Sequence, residues 1–345
     1  MSTTALQALL DTAAAATRPV LLVLDENSDG LPRCNHADSC VISNRSDVCS
    51  QTEALGWQTE FNDFNIASTI PQQRALYRLS KEKRVVEHVL QALWAGLPTD
   101  GELYIAGYKQ EGVKTFARRA SEAWHTSATL TRAQGQVHLY HFVRPAQPGA
   151  ALNPDDYHAL RPIGSWRDWQ VFSKPGLFAW DRFDTGSLFL LAQLPDWLGR
   201  RQLATARGLD LGCGHGLLAL ALLRAGCGQV LATDNNAAAL RACAHNLALY
   251  RGSATTGVKA ADCGDGLAPP FDLILCNPPF HQGFAVEQSL TDRFLQATAR
   301  LLAADGQALF VVNAFIPLER KAKGLFRHID VIADDGRYKV LALAR

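Results

Sequence analysis

The chain has 345 residues, with 34 Lys and Arg against 33 Asp and Glu and a formal net charge of +1. That length suits two domains of ordinary size, and an apolar fraction of 48% can fill two cores. A charged fraction of 19% at near-zero net charge excludes a disordered polyelectrolyte. It also removes the simplest argument for a nucleic-acid binder, a strongly basic balance, and leaves any RNA contact to local patches. No apolar run approaches the roughly 20 residues that span a bilayer. The opening MSTTALQALLDTAAAATRPV lacks the basic-then-apolar pattern of a signal peptide. Eight cysteines, several of them inside apolar runs, read as reduced thiols of a cytoplasmic protein.

In chain order, the N-terminal half predicts a helix over Arg84–Ala95 and, after Asp100-Gly101, a strand over Glu102–Tyr108. A helix over Val113–Trp124 and a strand pair, Ala128–Arg132 with Gln136–Val143, follow. Pro145–Pro154, rich in Pro, Ala and Gly, reads as a linker and divides the chain into 1–148 and 149–345. Strands are then predicted at Gly208–Leu211, Gln229–Asp234, Gly257–Asp262, Phe271–Cys276 and Gln307–Asn313. Helices fall at Leu217–Arg224, Ala237–Tyr250, Ser289–Leu302 and near Leu318–Phe326. This alternation implies a parallel, doubly wound sheet. The closing strands His328–Ala333 and Tyr338–Ala344 are joined by a turn too short for a parallel crossover, so they form an antiparallel hairpin. The N-terminal half is a fainter copy of the same ending, which points to two tandem α/β domains, each a mostly parallel sheet ending in an antiparallel hairpin.

Leu209-Asp210-Leu211-Gly212-Cys213-Gly214-His215-Gly216 ends a strand and opens a helix. Glycines at alternate positions permit a tight turn and close approach to a ligand, and the helix start offers unpaired N–H groups. Asp210 disfavours a pyrophosphate and suits a cationic amine. Asp234, with Asn235 after it, ends the next strand, where a carboxylate can accept both hydroxyls of a ribose. Asp262, with Cys263 behind it, ends the third and could reach an adenine amine. Amine, ribose and adenine together describe S-adenosyl-L-methionine. The plainer reading is that each Asp caps a helix or turn. The fourth strand ends in Asn277-Pro278-Pro279-Phe280. The prolines stop the strand and stiffen its exit. The Asn277 amide oxygen and the Pro278 carbonyl can both accept from a planar amino group, and Phe280 offers a face for a base.

Asp210–Gly216 with Asp234, Asp262 and Asn277–Phe280 resembles the class I S-adenosylmethionine-dependent methyltransferases that act on exocyclic amines. The closer match is to the ribosomal RNA small subunit methyltransferase C family, which methylates a guanine amino group at position 1207 of 16S rRNA. Lys174-Pro175-Gly176-Leu177-Phe178, Asp184-x-Gly186-Ser187, Asn277–His281, Asn313–Pro317 and Gly336–Val340 resemble that family too. The likeness is strong from about Pro162 onward. It implies tandem Rossmann-like methyltransferase domains and one S-adenosylmethionine site in the second. The implied substrate is 16S rRNA, within the 30S subunit or its precursor, and the implied state a monomer. The related large-subunit guanine methyltransferase shares Asn-Pro-Pro-Phe-His. Glutamine and DNA-adenine methyltransferases share the quartet, and a non-catalytic RNA-binding chaperone is the alternative of another class.

The N-terminal copy lacks the parts: Asp25–Gly30 stands where a glycine turn belongs and Arg78-Leu79-Ser80-Lys81 where Asn-Pro-Pro-Phe belongs. That domain is expected to serve folding and RNA docking without a cofactor. Arg74, Arg78, Lys81, Lys83 and Arg84 cluster, as do Lys109, Lys114, Arg118 and Arg119, and Arg320, Lys321, Lys323 and Arg327. Each cluster reads as a phosphate contact or a solvated face. Candidate RNA-binding residues are Arg118, Arg119, Lys174, Phe178, Trp180, Arg182 and His281, with Trp180 and Phe183 equally readable as core. Cys34, His36, Cys40 and Cys49 are zinc-ligand types at a spacing that fits no standard knuckle, so no metal is expected. Cys213 and Cys276 read as small strand-end residues, not nucleophiles.

Overall fold

The computed structural model describes residues 4–14, 19–26, 28, 30–34, 36–66, 73–147, 149–153, 155–199, 201–279 and 284–345. Two compact units divide the chain, Met1–Ala159 and Leu160–Arg345. The first contains α1 (Ala5–Ala14), β1 (Leu21–Leu24), β2 (Cys40–Ser43), α2 (Ser46–Ala54), β3 (Gln58–Phe61) and β4 (Arg74–Arg78). It continues with α3 (Lys83–Gly96), β5 (Glu102–Tyr108), α4 (Val113–Trp124), β6 (Thr129–Gln134) and β7 (Val137–Val143). Its seven strands lie in the order β3-β2-β1-β4-β5-β7-β6, with β7 antiparallel to both neighbours. Side chains alternate across the sheet. Leu21 and Val23 join Leu90 and Trp94 of α3 and Trp124 of α4, whereas Leu22 and Leu24 join Leu6 and Leu9 of α1 and Val48 of α2.

The segment after β7 stays with the first unit, so the boundary falls later than the Pro-rich stretch suggests. A Cβ on Gly149 would come within 2.3 Å of the Ala123 carbonyl, and Ala150 N donates to that oxygen at 2.8 Å. Asn153 donates to Glu87, and the buried Tyr157 hydroxyl donates to Asp63, at 2.7 and 2.8 Å.

The second unit opens with a hairpin, β8 (Arg161–Trp166) and β9 (Trp169–Ser173). Then come α5 (Thr185–Leu198), β10 (Arg207–Leu211), α6 (Leu217–Arg224), β11 (Gln229–Asp234), α7 (Ala237–Tyr250), β12 (Thr255–Ala260) and β13 (Phe271–Cys276). The chain ends with α8 (Phe284–Leu301), β14 (Leu302–Asn313), α9 (Leu318–Ala322), β15 (His328–Asp334) and β16 (Tyr338–Ala344). The strand order β12-β11-β10-β13-β14-β16-β15 is the same permutation as in the first unit. Leu209, Leu211, Ile274 and Phe310 pack with Leu295 and Leu301 of α8 and Leu318 of α9. On the other face Leu222 of α6 would meet a Cβ on Gly208 at 3.0 Å.

Several expectations change. The strand expected over Gly257–Asp262 runs Thr255–Ala260, and Asp262 opens a 3-10 turn behind it. The β8–β9 hairpin has no counterpart in the sequence reading. The last helix stops at Ala322. Leu302 belongs to β14, not to the preceding helix, because it pairs with Phe271 ahead of a bulge that carries Asp305-Gly306. Arg78, expected in a basic cluster, is buried and gives two 2.8 Å bonds to Glu111. Among the described residues Arg118 holds Glu122, one helical turn on, with both side chains exposed. Removing one partner of a buried ion pair strands the other charge. Arg78→Ala should lower stability by about 3–5 kcal/mol, and Arg118→Ala by less than about 0.5 kcal/mol, in urea unfolding followed by tryptophan fluorescence. Equal small losses would show that Glu111 does not need its partner.

Candidate active site

Gly212, Gly214 and Gly216 all adopt positive φ, at 84°, 51° and 90°. A Cβ at Gly216 would strike Cys243 Sγ at 2.6 Å, and one at Gly212 would press on the Phe294 ring at 3.2 Å. Gly212 N and Cys213 N donate to the Thr233 carbonyl, and Gly214 N donates to Asp234 Oδ2 at 3.0 Å. Those amides therefore face the neighbouring strand, and what the turn leaves open comes from missing side chains. Asp210 is fully buried; its Oδ2 accepts Ala219 N in the first turn of α6, and its Oδ1 is buried without a partner among the described residues. Asp234 Oδ1 accepts Asn236 N, and Asn236 caps α7. The cap reading of these acids thus holds for part of each carboxylate. Asp262 Oδ1 takes Asn235 Nδ2 at 3.2 Å and the Cys263 thiol, and its Oδ2 pairs with Arg293 of α8 at 2.6 Å.

Asn277 directly follows β13, with Pro278 buried and Pro279 exposed behind it. Its Nδ2 donates to Asp184 Oδ2 at 2.7 Å and to Ser187 Oγ at 2.8 Å. Both amide hydrogens are thereby committed, and Oδ1 remains as the acceptor. Asp184 is also the N-cap of α5, accepting Ser187 N at 2.8 Å. Sequence reasoning quoted Asp184 and Ser187 for a family likeness but missed this contact, since they stand some 90 positions from Asn277. It also missed Arg293 and Asn246, which bonds Phe172 of β9 and the His215 carbonyl. Phe280 and His281 lie outside the described residues.

The expected RNA contacts fare unevenly. Lys174 is a correction: it is fully buried and its Nζ donates to the Pro175 carbonyl at 2.7 Å, so it offers no exposed cation. Arg119 is half-buried and pairs with Glu87, 4% exposed in its side chain, at 2.6 Å. Trp180 packs on Leu177, Ala238 and Ala242. Phe178 is 54% exposed, and Arg182 is exposed beside Asp181. A hydrogen bond with Cys243 and burial push the Cys213 thiol up, and burial does the same to Cys276, which disfavours either as a nucleophile.

The ladders align the two units. Leu103 pairs with Ala75 and Ala75 with Leu21, as Ala308 pairs with Ile274 and Ile274 with Leu209. Arg78 then stands where Asn277 does, and Asp63 where Asp262 does. Phe64 and Cys263, next along, share a left-handed backbone, φ 51° and 49°. Among the described residues no helix follows β1, so the first unit has no counterpart of the glycine turn and α6.

Burial pushes the Asp210 carboxyl up to about 8, against an ordinary value of 3.8. The folded state then binds one more proton than the unfolded chain between those values, so stability falls as pH rises from about 4 to about 8 and stays lower above. Burial also pushes the His215 imidazole down to about 4, which leaves it neutral at pH 7. Asp210→Asn should flatten the pH dependence of Tm between pH 5 and 8. Parallel curves for variant and parent would show an ordinary carboxyl at this position.

Residues 168–342 match the Methyltransferase small domain family model. The ribosomal RNA small subunit methyltransferase C of Hahella chejuensis is 30% identical over 305 residues, covering 86% of this chain and 84% of that one. The protein of the same name from Chromohalobacter salexigens is 31% identical, with 85% and 84% covered. A solved T. thermophilus 16S rRNA N2 methyltransferase for guanine 1207, in complex with AdoMet and guanosine, superposes with a TM-score of 0.85 at 22% identity. It covers 98% of this chain and 91% of that one, and carries the same fold. With this identity sustained across both units and the family domain seated on the glycine turn and the Asn277 strand, the chain belongs to the ribosomal RNA small subunit methyltransferase C family.

Proposed function

We propose that the protein transfers a methyl group from S-adenosyl-L-methionine to the exocyclic N2 amine of a guanosine in 16S rRNA, at the position equivalent to 1207. The observation that carries the reading is the Asn277 carboxamide, whose NH2 is committed to Asp184 and Ser187 and whose oxygen is left to accept. Such an acceptor beside the rigid Pro278 carbonyl suits a planar aromatic amine. Two hydrogen bonds from that amine orient it and draw its lone pair out of conjugation. No general base is required at the attack itself, because the amine proton becomes acidic only once the new N–C bond forms.

The residues fit the cofactor on three observations: the Oδ1 of buried Asp210, orphaned among the described residues, the glycine turn that side chains at 212 and 216 would crowd, and acids at or just past three adjacent strand ends. When bound, S-adenosyl-L-methionine supplies an electrophilic methyl on a sulfonium. Asp210, Gly212, Cys213, Gly214 and Gly216 would hold its methionyl end, Asp234 the ribose, and Asn235, Asp262 and Cys263 the adenine. Pro279 and Phe280 would shape the seat of the target base. Phe178 and Arg182, exposed ahead of α5, remain candidates for RNA contact.

The first unit takes no cofactor in this reading and serves folding and RNA docking, in a monomer that works in the cytoplasm on the 30S subunit or its precursor. No helix of the described residues is long and apolar enough to cross a membrane. Transfer of labelled methyl to rRNA and ribosomal particles, with nucleoside analysis, tests the activity. N2-methylguanosine in 16S rRNA is expected; the same nucleoside in 23S rRNA would move the substrate, and no transfer to RNA would overturn the reading. Asn277→Ala should lower kcat by about 10²–10³ while the cofactor dissociation constant changes by less than about twofold. Calorimetry should give one cofactor per chain, and two would refute the division of roles.

A further inference from the structure

We propose that Asp184 and Ser187 are positioning residues for methyl transfer, holding the Asn277 side chain in the one orientation that offers substrate an oxygen instead of an NH2. The proposal rests on the functional reading above, in which Asn277 accepts from the target amine. A carboxamide is nearly symmetric in shape, and a half-turn about its last bond exchanges donor and acceptor. An asparagine at a strand end does not by itself choose between the two. Here two groups choose for it, at 2.7 Å and 2.8 Å from Nδ2.

The two differ in what they can enforce. A serine hydroxyl donates or accepts and would tolerate either orientation, whereas an ionised carboxylate only accepts. Asp184 therefore sets the polarity, since the reversed amide would put oxygen against oxygen. Asp184 is itself held: its Oδ2 takes the Ser187 amide as the cap of α5. Thr185 Oγ1 and the Tyr338 hydroxyl, 2.8 Å apart, tie the start of that helix to β16. Gly186 completes the arrangement, because a Cβ there would lie 3.1 Å from Asp184 Oδ2 and 3.2 Å from the Tyr338 ring. The charged neighbourhood does not compete, since His215, whose ring Asp184 influences, is held neutral by burial. The Asp184-x-Gly186-Ser187 spacing thus gains a chemical meaning: one residue fixes polarity, one leaves room, and one takes the second hydrogen.

The test uses the full chain with D184A, D184N and N277D. D184A removes the acceptor that fixes polarity, and kcat on 16S rRNA should fall by about 10–100-fold with KM and cofactor affinity within about twofold. In D184N the Ser187 amide, which shares Asp184 Oδ2 with Asn277 Nδ2, holds the new carboxamide oxygen in the same place, so cap and acceptor both persist and kcat should recover at least about fivefold over D184A. N277D sets two carboxylates face to face and should lose more than D184N. Parent-like kcat in D184A, or a D184N no better than D184A, would overturn the proposal. A second readout needs no activity. With asparagine-selective 15N labelling, the Asn277 NH2 should exchange slowly in the parent and quickly in D184A. Rapid exchange in the parent would also overturn it. Slow exchange in a protein that methylates no RNA would sink the functional reading and leave the positioning contact standing.

Discussion

In a parallel ladder every strand delivers its carboxyl end to the same edge, about 4.8 Å from the next, and the second unit depends on that constraint. Strands β12, β11, β10 and β13 are consecutive neighbours, so Asp262, Asp234, Asp210 and Asn277 arrive along one short arc although long crossovers separate them. Beyond the last ladder bond, backbone groups need other partners. The amides of Gly212 and Cys213 find theirs in the Thr233 carbonyl, which locks the glycine turn to the end of β11. The turn is consequently set by the sheet, and the glycines are needed because the resulting backbone has positive φ and Cys243 stands against it.

The first unit applies the same constraint and fills the result. Its sheet repeats the permutation strand for strand, down to the left-handed backbone at Phe64. Yet Asp63, at the position of Asp262, accepts the Tyr157 hydroxyl from the chain's own linker segment. Arg78, at the position of Asn277, is closed over by Glu111, which also accepts Tyr108 N. At these two positions a side chain of the first unit itself occupies the polar group. Buried charges need partners, and at this edge of the first unit Tyr157 and Glu111 supply them.

What the sequence disclosed divides along the same line. Strand and helix order from Gly208 onward, the glycine turn and the Asn277 quartet are local patterns, and local sterics fix them: proline ends a strand, and glycine takes positive φ. The start of β5 after Asp100-Gly101 and of α4 at Val113 were legible for that reason. Contacts between distant segments were not. Nothing local distinguishes Lys174, buried against its own backbone, from an exposed lysine. Arg119 reads as one more cation on a helix until Glu87 of α3 is placed beneath it. The β8–β9 hairpin was illegible because its support is tertiary: Tyr250 stacks on Trp169 at 4.6 Å, and Asn246 bonds both N and O of Phe172.

The same Asn246 shows how the site is held ready. Its amide joins the β9 backbone to the His215 carbonyl inside the glycine turn, so one side chain of α7 ties the hairpin to the turn. Several polar atoms in this region are buried without partners among the described residues: Asp210 Oδ1, His215 Nδ1, Thr233 Oγ1 and Ser173 Oγ. Each is destabilising by the desolvation it suffers, and such atoms are few in folded proteins unless a ligand or a mechanism accounts for them. They gather at the ends of β9, β10 and β11 and in the glycine turn, and in the first unit Asn44 Oδ1 and Ser46 Oγ, just past β2, are likewise buried without a partner among the described residues. A ligand that meets those of the second unit recovers that loss as affinity.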